Sequence, residues 1–324
     1  MSLFESLKNI PKVDMHINLT SSISTDLAFD LSDEMSILDI EEEMREKNVL
    51  EYMDALKLPV KILRKPQNVI LAINDLIDRL ESNNVIYSEL FLDLPLYNKR
   101  IDEEKVLLLI LDVIKKRQYN MNIVMVLSSE KAKDDNLKTL EIFEKYYQKG
   151  VNGLYFHKNK MANLSDYAYL FDRLSKNNYP YILNMNSKIV NTDYEIYMNA
   201  KRIIYALPTI DDSLILETRK NDIMLEFSIT RFIENNIISN LKDHFLFDLI
   251  KTNTLLTLTS YDMTTLNTDI LNEWCLVFNS FPLTLLDMVR VINNDLVKAN
   301  IAINDKEPII NRFKEESNSI LDEE

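Results

Sequence analysis

The stretch VDMHINLTSS, Val13 to Ser22, raises the first chemical question, because an apolar run delivers His16 to what reads as a strand end. Zinc takes neutral imidazole nitrogens, and a second histidine two positions on would complete a metal-holding pair. The chain has Asn18 there. Its other two histidines, His157 and His244, lie far away in sequence. His16 is therefore read as a hydrogen-bonded histidine at a strand end, His157 as an exposed loop residue, and His244 as a structural residue near a helix N-terminus. Cys275, the single cysteine, sits beside Trp274 in an apolar helical stretch and reads as packing rather than as a nucleophile.

Other residues able to do chemistry are Glu89, Lys158, Glu226 and Asp262. Glu89 and Glu226 interrupt apolar runs; a buried carboxylate needs a partner, and Lys158 or Arg231 is the partner expected. Lys158 is also the residue type that forms Schiff bases, although nothing beyond its position supports that use. Asp262 is the expected ligand contact, with Lys158 and Glu89 shaping a polar pocket beside it.

Composition removes several function classes. The 324 residues contain two glycines, Gly150 and Gly153, so no glycine-rich phosphate-cradling loop exists. A net charge of −14 opposes a phosphate-facing nucleic-acid surface. No apolar run approaches the ~18 residues of a membrane span, and the N-terminus lacks the pattern of a secretion signal. One cysteine fits a reducing cytoplasm, and the abundance of Ile, Asn and Lys points to an AT-rich bacterial source.

Eight short runs rich in β-branched and aromatic residues recur: Lys12–Asn18, Val85–Phe91, Met121–Leu127, Val151–Phe156, Tyr179–Met185, Arg202–Leu207, Asp222–Phe227 and Thr254–Ser260. Amphipathic stretches separate them. In Ile101–Arg117 acids lead and bases close, as a helix dipole favours, and Asp135–Gly150 is expected to end on Gly150 as a helix-terminating glycine. This alternation predicts an α/β fold, a single-domain (β/α)8 TIM barrel over residues 1–324, with an open doubly wound sheet as the other arrangement considered. An extra helical segment between strands 1 and 2, Ser32 to Leu58, is expected to lie over the barrel mouth, where such barrels carry their chemistry. The end of the chain, RFKEESNSILDEE, reads as an amphipathic helix running into an acidic terminus.

In this arrangement the chain resembles the adenosine deaminase family of metal-dependent amidohydrolases. IPKVDMHINLTSSIS resembles the family's opening, Pro-Lys-x-(Glu/Asp)-x-His-x-His-Leu-x-Gly-Ser. YMDALKLPVKIL, VIYSELF, GLYFHKNK, YILNMNS, RIIYAL, LEFSIT and LTLTSYDM follow in family order, as do His244 in KDHFLFDLI and Glu273 in LNEW. The resemblance implies a zinc ion held by two histidines after strand 1, one after strand 5 and an aspartate after strand 8. A glutamate past strand 5 and a histidine after strand 6 would move protons. A glycine after strand 4 and a second aspartate after strand 8 would bind the purine.

Carried over position by position, the resemblance implies extensive losses. His16 matches the first metal histidine, while Asn18, Asn184 and Tyr261 stand at the other metal positions. Ser187 replaces the proton-carrying glutamate, Tyr205 the catalytic histidine and Lys158 the purine-contacting glycine; Asp262 alone of the purine and strand-8 pair is kept. Amide oxygens donate weakly, and a tyrosine with a reference pKa near 10 must lose a proton to help. Without a metal, the attacking water keeps a pKa near 15.7 rather than about 7. The expectation is a catalytically inactive homologue that holds no zinc, acts through an unidentified small-molecule ligand or as an interaction module, and has no nucleic-acid or membrane partner. A deaminase or hydrolase with a rebuilt site, or a residual purine binder, are the alternatives.

Overall fold

A computed structural model describes residues 2–32, 35–45, 52–97, 102–238, 240–301 and 303–322. Eight parallel strands run in the order β1 to β8: Lys12–Asn18, Val85–Leu92, Met121–Ser128, Val151–His157, Tyr181–Met185, Arg202–Tyr205, Met224–Phe227 and Leu256–Leu258. The seam between β8 and β1 closes just past β8. Tyr261 N–H donates to the His16 carbonyl at 2.9 Å, and Asn18 N–H donates to the Tyr261 carbonyl at 2.9 Å. The fold is the (β/α)8 barrel that the alternation predicts, and all eight runs contain a strand. The later strands are shorter than their apolar runs, because residues such as Tyr179 and Thr254 belong to the preceding connections.

Helices occupy the connections. α1 (Leu3–Asn9) precedes the barrel; α2 (Thr25–Leu31), α3 (Ile37–Met44), α4 (Tyr52–Ala55), α5 (Lys57–Ile62) and α6 (Pro66–Ser82) all separate β1 from β2. The extra helical material is thus wider than Ser32 to Leu58, beginning at α2 and ending with α5, and α6 is the crossover helix. Part of the expected segment, 33–34 and 46–51, lies outside the described residues. Next come α7 (Glu103–Arg117), α8 (Lys133–Tyr146), α9 (Ala168–Lys176), α10 (Tyr194–Met198), α11 (Asp212–Lys220), α12 (Ile229–Glu234), α13 (Leu246–Lys251), α14 (Ile270–Ser280), α15 (Leu285–Lys298) and α16 (Ile303–Asp322).

α7 shows how local sequence sets these elements. Asp102 caps it by accepting from Lys105 N–H, Glu103 and Glu104 open it, and Lys115, Lys116 and Arg117 close it, so charge opposes the dipole at both ends. α8 departs from expectation: it ends at Tyr146, four residues before Gly150. Gly150 instead supplies a left-handed turn (φ 93°) entering β4, where a Cβ would lie 2.7 Å from Leu111. The amphipathic C-terminal segment is α16, whose Phe313 and Ser317 are buried.

Two apolar cores result. The larger lies between the barrel and its helices. The smaller fills the barrel itself: Phe91, Val124, Val126, Tyr155, Ile182, Ile204 and Tyr261. Alternation along β2 sends Tyr87, Glu89 and Phe91 to one side, so the barrel interior changes from polar to aromatic towards its C-terminal mouth. No described helix is long and apolar enough to cross a membrane.

Candidate functional site

The lower half of the interior is an ion network built around Arg202, the first residue of β6. Its Nη2 lies 2.9 Å from Glu89 Oε2 and donates to the Met15 carbonyl at 2.8 Å, and its Nε lies 2.8 Å from Glu226 Oε2. Tyr87 donates to Glu89 Oε1 at 3.1 Å. All four side chains are buried. Burial opposes the guanidinium's charge, but Glu89 and Glu226 more than offset it and raise its pKa above the ordinary arginine value. Glu89 and Glu226 are therefore paired with Arg202, not with Lys158 or Arg231. Glu89 is a scaffold residue, not part of a polar pocket shared with Lys158. The signal was an arginine opening the otherwise apolar run RIIY, which requires buried acids inside a barrel.

His16 rests on this network. Its Nδ1 lies 2.5 Å from Glu226 Oε1, and the ring is wholly buried. Phe91 stacks on it at 3.4 Å between ring centres, and Tyr261 lies at 4.1 Å. Its Nε2 has no hydrogen-bond partner among the described residues.

This aromatic layer holds two of the positions that the resemblance marked as metal ligands, His16 and Tyr261; the other two are Asn18 and Asn184. Asn18 Nδ2 donates to Asp262 Oδ1 at 2.7 Å. Ser21 Oγ donates to the same oxygen, and Tyr52 of α4 reaches it at 3.4 Å, which brings the extra helices to this end of the barrel. Asp262 Oδ2 is buried without a hydrogen-bond partner among the described residues. Asn184, near the end of β5, clasps the backbone of Lys158: its Oδ1 accepts from Lys158 N–H at 2.6 Å, and its Nδ2 donates to the Lys158 carbonyl at 2.9 Å. Tyr261 takes a left-handed backbone (φ 62°), which costs a non-glycine residue about 1–2 kcal/mol. Arg231 lies over its ring at 4.1 Å. Burial pushes the Tyr261 hydroxyl's pKa up, and Arg231 works against that shift.

These donors do not fit a zinc ion. A catalytic zinc needs three protein ligands and an open position. His16 offers one nitrogen beneath Phe91 and Tyr261, both polar atoms of the Asn184 amide are spent on Lys158's backbone, and Asn18 turns its amide nitrogen to Asp262. Among the described residues, no three His, Cys, Asp or Glu side chains converge to hold a metal ion.

The remaining positions are dispersed. Tyr205 closes β6 facing outward: its hydroxyl donates to the Thr209 carbonyl at 2.6 Å, and its ring meets Phe227 and Phe245. Ser187 lies half-buried in the loop after β5. Lys158, 5% exposed, sits just past β4. His157 is the last residue of β4 and half-exposed, not a loop residue; its Nδ1 is 3.9 Å from Glu130, and burial lowers its pKa. His244 precedes α13 and accepts from Leu246 N–H at 3.2 Å. Glu273, in α14, accepts from Ile229 N–H at 2.5 Å and Thr230 N–H at 3.2 Å, capping α12 from a distance.

The family model for adenosine deaminase matches residues 11–316. An adenosine deaminase from Clostridium kluyveri is 20% identical, with 91% of each chain covered. The fold is similar to that of an arabidopsis N6-mAMP deaminase (TM-score 0.83, 16% identity, 96% of this chain and 99% of that chain). It is also similar to that of an amidohydrolase from Burkholderia ambifaria with bound zinc (TM-score 0.83, 12% identity, 99% of this chain and 95% of that chain). The family match spans nearly the whole barrel, and the chain belongs to the adenosine deaminase family.

Proposed function

We propose that this protein is a deaminase-family barrel that has given up zinc-dependent deamination and keeps its mouth as a binding site for a small molecule. The observation that carries the reading is the bonding of the Asn18 and Asn184 amides. One is tied to Asp262, the other to the Lys158 backbone, so two of the four family metal positions have a structural occupation. The proton-carrying positions support the same reading. The hydroxyl of Tyr205 is engaged with Thr209 on the outer side of β6, and Ser187 has no acidic group. A positioned acid or base contributes about 10²–10⁴-fold, and neither residue supplies one at neutral pH.

One observation favours residual ligand contact at the mouth: Asp262 Oδ2 is buried and accepts from no donor among the described residues, so a ligand N–H or O–H would satisfy it. The test of the reading is turnover. Purified protein supplied with excess zinc and adenosine, or N6-methyl-AMP, is expected to produce inosine or IMP no faster than the buffer. Sustained turnover that scales with protein concentration overturns the proposal.

A further inference from the structure

We propose that a second site, a groove of about 480 Å³ between the loop after β6 and the segment leading into α13, binds small planar aromatic carboxylates. Pro208, Thr209 and Ile210 form one wall; Lys242, His244, Phe245, Phe247 and Asp248 form the other. Its lining shares no residue with the core that fills the barrel, and Tyr205 of β6, which joins Thr209 of one wall to Phe245 of the other, packs in the outer core while its neighbour Ile204 packs in the inner one.

The groove is held by a hydrogen bond and by ring contacts behind its walls. Tyr205's hydroxyl fixes the Thr209 carbonyl at 2.6 Å, setting the loop that makes the first wall. Its ring lies edge-on to Phe245 at 5.8 Å, and Phe245 packs on His244 at 4.0 Å. The position that the resemblance assigned to a catalytic histidine thus braces both walls of a different cavity from behind.

Chemistry at the groove defines the ligand class. His244 Nδ1 accepts from Leu246 N–H at 3.2 Å, so the neutral ring carries its hydrogen on Nε2. That nitrogen is buried and meets no acceptor among the described residues, and a buried donor without a partner is costly. A ligand oxygen bound there would satisfy it. Lys242 is exposed on the rim and supplies positive charge. Half-buried Phe245 and Phe247 present ring surface suited to offset or edge-on packing with a flat ring. The exposed Asp248 shares the rim, so the ligand's negative charge must lie towards Lys242.

The test uses 2-naphthoate and its uncharged amide as probes of the full chain by ligand-observed NMR. The carboxylate is expected to bind with a dissociation constant on the order of 1 mM, usual for a fragment of that size, and the amide several-fold more weakly. Lys242→Glu, an exposed change that leaves the fold intact, is expected to weaken the carboxylate by about threefold or more. His244→Asn keeps an acceptor for Leu246 N–H but loses the Nε2 donor, and is expected to weaken it about tenfold. No binding of either probe at 10-fold the expected constant overturns the proposal, and so does binding that both variants and the amide leave unchanged.

Discussion

Asn18 Nδ2 donates to Asp262 Oδ1 at 2.7 Å, across the seam where β1 meets the turn after β8. An amide at one of the family's metal positions is thus tied to the carboxylate at its purine position, and Ser21 donates to the same oxygen. The mouth is organised by hydrogen bonds between its own side chains, above an aromatic layer and an ion network centred on Arg202.

Arg202 is the central support of that interior. Arg202→Met leaves Glu89 and Glu226 buried without their cation, a loss of about 3–5 kcal/mol. Denaturant unfolding is expected to show a lowered midpoint with an unchanged slope. Adding Glu89→Gln and Glu226→Gln to the same variant is expected to recover part of the loss. A single variant as stable as the wild type removes the network from the account.

Two buried groups give opposite pH dependences. Burial pushes the Asp14 carboxyl up to about 7 although Ser260 donates to it twice. The unfolded chain loses this proton near pH 4, the folded chain near pH 7, so Asp14's contribution to stability is full at low pH and lost as pH rises through that window. Burial lowers His244 to about 4, so its contribution is present above about pH 6.5 and lost as pH falls towards 4. Stability curves are expected to diverge accordingly: wild type minus Asp14→Asn shrinks with rising pH, and wild type minus His244→Asn grows, each by about 1.4 kcal/mol per unit of pKa shift at most. Curves that stay parallel to the wild type contradict both assignments.

Lys158 occupies the strand-4 position that the family resemblance gives to a purine-contacting glycine. Asn184 grips its backbone only, so Lys158→Gly keeps the clasp while removing the side chain. In a thermal-shift measurement with millimolar adenosine, the variant is expected to gain several degrees over its ligand-free melting temperature and the wild type none. Equal shifts in the two proteins argue that the lysine does not fill ligand space.

The barrel was legible because each strand repeats the same local signal, a short β-branched or aromatic run followed by a helical stretch, and parallel order follows from that alternation. The helix expected to reach Gly150 stopped at Tyr146, since a left-handed glycine serves a turn into a strand as readily as a helix end. Partner choice was the harder matter. Glu89 and Arg202 are 113 residues apart, and nothing in either neighbourhood identifies the other; only closure of the barrel brings β2, β6 and β7 into one interior. The direction of Tyr205 was hidden for a related reason, because strand alternation gives two faces without saying which one is inward.

The most direct measurement of the central claim is zinc content. Protein purified with zinc present and then dialysed without chelator is expected to retain well under one equivalent, because His16 alone cannot supply what a four-ligand site does. One equivalent of zinc that survives dialysis and is lost in His16→Ala would contradict it.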